Sequence, residues 1–265
     1  MNRHLIYTNG RSGSNAFVQL LNQHPQVTNY GEVLGDWTLP GKHIRPRFSG
    51  PDGNARYLDW FYDDPMAFRA AQAVSYLSRK RRGAATHYRR RQDIKSIGLK
   101  EFASNFHKMG LEDYLADRAD IHLITLLREN TIARYLSSET LRQTGTVARK
   151  DGDDKSEVPA LALPTDGLVA ELDLIAREND WVREGASRHQ GPVMNVLYED
   201  YFSADEAGQR AALEEMQRFI GVDPVPLTLE HKKLRKAPLS QSISNFDEVA
   251  QVLSGTSHAA WLDKS

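Results

Sequence analysis

The chain of 265 residues contains no cysteine, which excludes disulfides, thiolate catalysis and metal sites built on thiolates. It also lacks any apolar run approaching the ~20 residues that a membrane-spanning helix needs. Its opening, Met1 to His4 followed by the short run Leu5-Ile6-Tyr7, does not read as a secretory signal. A water-soluble, cytoplasmic protein is therefore expected. Neither sign of charge dominates. The 34 Lys and Arg against 35 Asp and Glu leave a net charge of -1, so no global field draws in nucleic acid or an anionic membrane. The one basic cluster, Arg79-Lys80-Arg81-Arg82 with Arg89-Arg90-Arg91, includes Tyr88 as its single aromatic. That is too little interleaving for a base-stacking platform, so the segment 79-91 reads as a solvated or mobile charged stretch and no nucleic-acid partner is expected.

What remains is ordinary globular material, with 40% hydrophobic and 26% charged residues. The length is enough for a full core, and a single domain over 1-265 is expected. Leu5-Ile6-Tyr7 reads as a buried strand. Asn9-Gly10-Arg11-Ser12-Gly13-Ser14 is a tight loop, and Ala16, Phe17, Leu20 and Leu21 then recur at helical spacing up to His24-Pro25. Strand, glycine loop and helix open an α/β nucleotide fold. Residues 36-60, rich in Pro, Gly and charge, read as irregular, and 63-82 as helical. Ile97-Gly98-Leu99 reads as a second strand. Ile121 to Leu127 is a near-continuous apolar run that fits a parallel strand buried on both faces. A helix over about 131-142, a mobile loop or lid over 144-165, a long helix over 166-184, a core strand over 193-198 and a helix over 206-220 capped by Gly221 complete the pattern.

Two motifs carry chemistry. In Thr8-Asn9-Gly10-Arg11-Ser12-Gly13-Ser14-Asn15, Gly10 and Gly13 leave room for an anion, Ser12 and Ser14 offer hydroxyl donors, and Arg11 offers a guanidinium fork at a helix N-terminus. Alone, such a loop reads equally well as a glycine turn with an exposed arginine. The nucleotide triphosphatase loop, G-x-x-x-x-G-K-[ST], is absent, which disfavours a Mg²⁺-dependent kinase. In the second motif, Leu126 to Ser138, a strand ends at Arg128 and Ser137 and Ser138 follow nine and ten residues later on the next helix. A guanidinium and a hydroxyl can meet on one phosphate there.

Together the motifs resemble the sulfotransferases that use 3′-phosphoadenosine 5′-phosphosulfate (PAPS), and most of all their bacterial carbohydrate-type branch. Thr8 to Ser14 is similar to the family's T-x-x-R-S-G-S loop, and Arg128 with Ser137 to its strand-end Arg and downstream Ser. His24-Pro25-x-Val27 with Gly31-Glu32, Tyr198-Glu199-Asp200, Phe219-Ile220-Gly221-Val222 and Ile243-Ser244-Asn245 with Glu248 resemble further family segments in the same order. Asn15 stands where the family usually has Thr, and Glu129 where a second Arg is common.

The resemblance implies a P-loop-like α/β fold of the sulfotransferase type, with a central parallel sheet flanked by helices. It also implies transfer of a sulfuryl group from PAPS to a hydroxyl or amine, with no metal required. Gly10, Arg11, Ser12, Gly13, Ser14 and Asn15 would hold the 5′-phosphosulfate. Arg128 and Ser137, or its neighbour Ser138, would hold the 3′-phosphate, and Glu32 would act as base with Arg11 stabilising developing charge. Lys100 and His107 are secondary candidates that read first as surface or packing residues, and His24 reads as structural. The acceptor, a carbohydrate, lipid or small metabolite, is not legible, nor is the oligomeric state. An ATP- and Mg-dependent kinase and a nucleotide-binding module without turnover are the alternatives.

Overall fold

A computed structural model describes residues 1-81, 89-145, 149-150, 159-228, 231-232 and 237-263. Strand β1 (Asn2–Thr8) leads through the glycine loop into α1 (Ser14–Leu21), and β2 (Val27–Asn29) follows. Helices α2 (Leu39–His43), α3 (Gly53–Asp63) and α4 (Pro65–Arg81) precede β3 (Ser96–Phe102). Next come α5 (Ala103–Lys108), α6 (Tyr114–Asp117), β4 (Ile121–Leu127), α7 (Thr131–Thr144) and the two-residue β5 (Arg149–Lys150). Helix α8 (Leu168–Arg188), β6 (Val193–Leu197), α9 (Tyr198–Ser203) and α10 (Glu206–Phe219) follow. Then come β7 (His231–Lys232), α11 (Leu239–Ser242) and α12 (Phe246–Leu253), and a short 3-10 helix over Ser257–Trp261 is the last element of the described chain.

Five strands form one parallel sheet in the order β2-β3-β1-β4-β6. The central strand β1 runs beside β3 from Asn2↔Ser96 to Thr8↔Phe102 and beside β4 from Arg3↔Ile121 to Thr8↔Leu126. Alternation along the strands feeds two cores. Leu5 and Tyr7 pack with Leu123, Phe61 and Phe106 on one face, while Ile6 packs with Ile124, Phe17, Leu21 and Met216 on the other. Each fully buried apolar side chain there contributes about 1.5–3 kcal/mol. A third cluster joins α7 and α8 to α11 and α12. Among the described residues no helix is long and apolar enough to cross a membrane.

The expected strands at 5-7, 97-99 and 121-127, and the helices expected after the first and the last of them, are in place, whereas three readings change. First, residues 36-60 are largely helical, not irregular. Pro40 falls in the first turn of α2, where its missing N–H costs nothing, and Thr38 caps that turn by accepting from the Gly41 N–H at 3.0 Å. In α3, Tyr57, Leu58, Phe61 and Tyr62 are buried on one stripe that the surrounding Gly and charge obscured.

Second, the loop 144-165 is not uniformly mobile. Parts of it, 146-148 and 151-158, lie outside the described residues, but 161-163 is pinned to the C-terminal segment. The Leu161 N–H donates to the Ser242 carbonyl, and the Leu161 carbonyl accepts from the Ser244 N–H, each at 3.0 Å. Asn245 both accepts from the Leu163 N–H and donates to its carbonyl, each at 2.9 Å.

Third, the 193-198 strand ends at Leu197 and is a half-buried sheet edge rather than a core strand. The basic segment is only partly described, with 82-88 outside. Lys80 and Arg90 are exposed, as expected, whereas Arg89 is half-buried and donates to the carbonyl oxygens of Val27 and Asn22, and Arg91 donates to that of Asp63.

Candidate active site

In an open parallel sheet ligands bind beyond the carboxyl ends of the strands, where the chain switches from one side of the first strand to the other. Here that place lies between β1 and β4, and both sequence motifs meet there. The loop after β1 is built from the inside. Thr8 donates to the Leu126 carbonyl at 2.6 Å, and the Ser12 hydroxyl lies 2.7 Å from Thr8 Oγ1 and 2.8 Å from the Asn9 carbonyl. Ser12 is thus turned inward as a brace rather than outward as a donor. Arg11 and Gly13 both take positive φ, 63° and 78°. At Gly13 the need for glycine is double, because a Cβ would also lie 3.1 Å from the Tyr198 ring and 3.2 Å from that of Phe202. A Cβ at Gly10 would meet no protein atom within 4 Å. Ser14 is buried in the first turn of α1, and Asn15 beside it is exposed.

The left-handed turn at Arg11 sends its side chain across to α7, where Nε and Nη2 donate to Ser137 Oγ at 3.0 and 2.9 Å. Ser138 points elsewhere and donates to the Arg134 carbonyl at 3.2 Å, back along its own helix. Of the two serines, Ser137 is the one at the site. Arg128, at the end of β4, donates to the Arg11 carbonyl at 3.3 Å and stacks over Tyr198 with its guanidinium carbon 4.4 Å from the ring centroid. Its Nε is buried with no hydrogen-bond partner among the described residues. Burial lowers the pKa of both guanidinium groups, and for Arg11 the Arg128 charge adds to it. Two desolvated cations and a hydroxyl thus gather at one edge of the sheet, a set that favours an anion.

Several residues behind this set have no role assigned from the sequence. Arg134, with 6% of its side chain exposed, ion-pairs with Glu178 and donates to the Gly10 carbonyl at 2.7 Å, so a helix-7 cation holds the loop from behind. Asn179 donates to the Arg128 carbonyl at 3.0 Å, and Asn9 donates to that of Glu178 at 2.7 Å. Glu199 accepts from the N–H groups of Glu129 and Asn130 at the start of α7, at 3.2 and 3.0 Å, where a carboxylate also meets the helix dipole. Tyr198 and Glu199 thereby acquire roles as a stacking floor and a helix cap. The spacing of Arg134 from Arg128 within the second motif was the one visible hint for it.

Glu32 lies one strand further along. One carboxylate oxygen ion-pairs with Lys100 Nζ, and the other accepts from the Trp37 indole N–H at 2.7 Å. Lys100 is only 1% exposed, its amine 4.1 Å from the Phe102 ring centroid, and burial lowers its pKa against the opposing pull of Glu32. The next residue, Glu101, is fully buried. It accepts from the N–H groups of Val33 and Leu34, directly after Glu32, and from Asn105 at 3.3 Å. Burial pushes its carboxyl up to about 7 against those donors. Consecutive residues of β3 therefore hold the Glu32 segment, one by side chain and one by backbone. His107 is half-exposed, 3.1 Å from Glu112 and stacked on Trp181, away from this set. His24 joins the Gln26 N–H to the Asp223 carbonyl, a structural part.

No family model matches the chain, and no curated protein matches it. Among solved structures it is similar to a sulfotransferase from Alicyclobacillus acidocaldarius, at 13% identity and a TM-score of 0.47 over 99% of this chain and 94% of that one. It is also similar to the sulfotransferase domain of the Synechococcus PCC 7002 olefin synthase, at 16% identity and a TM-score of 0.43 over 84% of this chain and 74% of that one.

Proposed function

We propose that the chain transfers a sulfuryl group from PAPS to a hydroxyl or amine of an acceptor. The observation that carries this reading is the convergence of Arg11, Arg128 and Ser137 at the carboxyl ends of β1 and β4, in the order the sequence resemblance implies. A partly desolvated pair of guanidinium groups suits a multiply charged anion. The buried, unpartnered Nε of Arg128 and the open space beside Gly10 fit a phosphate-bearing nucleotide. PAPS supplies an activated sulfuryl group and a phosphate leaving group.

On this reading Arg128 and Ser137 hold the 3′-phosphate and thereby select PAPS over 5′-nucleotides. The loop of Gly10, Arg11, Ser12, Gly13, Ser14 and Asn15 holds the 5′ end, with the Ser12 hydroxyl bracing it from inside. Glu32 takes the proton of the acceptor hydroxyl as the new oxygen–sulfur bond forms. The electron pair of the breaking sulfur–oxygen bond remains on phosphate oxygen, where Arg11 and loop N–H groups stabilise it. Lys100 and Glu101 act as positioning residues for Glu32. None of these steps calls for a metal.

Release of the desulfated product, adenosine 3′,5′-bisphosphate (PAP), from PAPS in the presence of a mixed panel of hydroxylated acceptors tests the reading. Glu32→Gln should lower kcat by about a hundredfold or more while leaving PAP affinity within about twofold. Turnover of ATP with Mg²⁺ and none of PAPS would overturn it.

A further inference from the structure

Among the described residues most large apolar side chains are buried, and one of the exposed ones lies against the candidate base. Trp37 is 65% exposed and Leu39, two residues on, 64%. An exposed indole is not by itself a site, but this one is fixed in place. Its N–H is held on Glu32 at 2.7 Å. Its ring lies across Gly35, where an added Cβ would come within 2.4 Å of Cε2, 2.5 Å of Cζ2 and 2.8 Å of Cδ2. Thr38 N–H donates to the Gly35 carbonyl at 2.9 Å and so closes the turn that carries the ring. Phe102 lies beside it, its ring centroid 6.2 Å away at an interplanar angle of 36°. The sequence thus spends a buried glycine and a side-chain hydrogen bond on presenting a large flat surface to solvent.

We propose that Trp37 is the acceptor platform and that the acceptor is a ring with a flat apolar face and a hydroxyl on its edge. The identity of the reaction rests on the sulfuryl-transfer reading above, whereas the binding does not. The indole N–H lies in the plane of its ring and points at Glu32, so the carboxylate sits at the edge of the platform. A ring stacked on the exposed face at van der Waals distance, about 3.5–4 Å, places its edge substituents above that carboxylate. A hydroxyl inclined toward the indole then reaches Glu32, while an acyclic polyol has no face to register it. Sugar rings and phenols share this chemistry.

Saturation-transfer NMR with methyl β-D-glucopyranoside, 4-nitrophenol and sorbitol as probes tests the platform without any nucleotide. Transfer to the ring protons of at least one cyclic probe is expected in the wild type, falling about threefold or more in Trp37→Ala and persisting in Trp37→Phe. Sorbitol should respond weakly throughout. The two cyclic probes distinguish a sugar acceptor from a phenolic one. In turnover with PAPS, Trp37→Ala should raise KM for the responding probe about tenfold with PAP affinity unchanged. Trp37→Phe should keep KM and lower kcat, because the N–H that orients Glu32 is gone. Equal saturation transfer in wild type and Trp37→Ala, a stronger response from sorbitol, or no response from either ring overturns the proposal. Failure to bind PAP, with ring binding at Trp37 intact, overturns the sulfuryl-transfer reading instead.

Discussion

Replacing Arg134 by Met isolates the support behind the glycine loop. The side chain is 6% exposed, ion-paired with Glu178, and donates to the carbonyls of Gly10 and Ile175 at 2.7 and 3.3 Å. Removing one partner of a buried ion pair costs about 3–5 kcal/mol, chiefly through the charge left behind. The Glu178 side chain is 22% exposed and can recover some hydration, which places the expected loss near the bottom of that range, at about 3 kcal/mol. Met fills much of the same volume, so little of the loss comes from a cavity. If the stranded carboxylate is the main cost, Arg134→Met with Glu178→Met should recover about two-thirds of it. Urea titrations followed by tryptophan emission give the two differences as shifts in midpoint at constant slope. PAP affinity adds a second readout. The double variant should remain about tenfold weaker than wild type because the Gly10 carbonyl has lost its anchor. A single variant within about 1 kcal/mol of wild type, or a double variant no more stable than the single, would refute this account of Arg134.

Gly13→Ala should lose about 1–2 kcal/mol and lower Tm by a few degrees, because the left-handed backbone at φ 78° is strained with a Cβ and Tyr198 is already in the way; an unchanged melting curve would contradict the turn geometry. Ser137→Ala should weaken PAP binding about fivefold and Ser138→Ala by less than twofold, since only Ser137 meets Arg11; the reverse order would contradict the assignment. Glu101 makes a prediction about pH. Its carboxyl titrates at about 7 in the folded chain against 4.5 unfolded, so ionisation opposes folding: its contribution is fully present below about pH 4.5 and is lost as pH rises through 7. Glu101→Gln should therefore gain on the wild type between pH 5 and 8, by up to roughly 3 kcal/mol. Parallel stability curves for the two proteins would show that burial does not govern this group.

What was legible in the sequence was legible for physical reasons. Ile121 to Leu127 reads as a strand because both its faces are buried and no polar period interrupts it, and Gly221 marks a helix end because only a left-handed residue fits there, at φ 79°. Arg11, Arg128 and Ser137 could be singled out because each sits at a strand end or on the first helix after one, where short motifs have fixed geometry, and the fold brings the three together. Lys100, Glu101 and Arg134 were weighed lightly or missed for one shared reason. Charged residues read as surface by type, and their burial depends on partners 68, 67 and 44 positions away in Glu32, Leu34 and Glu178. Composition misled over 36-60 because Pro40 and Gly53 lie at helix starts rather than in loops.

The central claim is that Arg128 and Ser137 select a nucleotide by its 3′-phosphate, and calorimetric titration of PAP against 5′-AMP into wild type and Arg128→Ala tests it most directly. The account predicts micromolar binding of the bisphosphate, at least about tenfold weaker binding of 5′-AMP, and loss of that preference in Arg128→Ala, a difference of about 1.4 kcal/mol or more. Equal affinity for the two nucleotides in the wild type, or a preference that survives in Arg128→Ala, would contradict it.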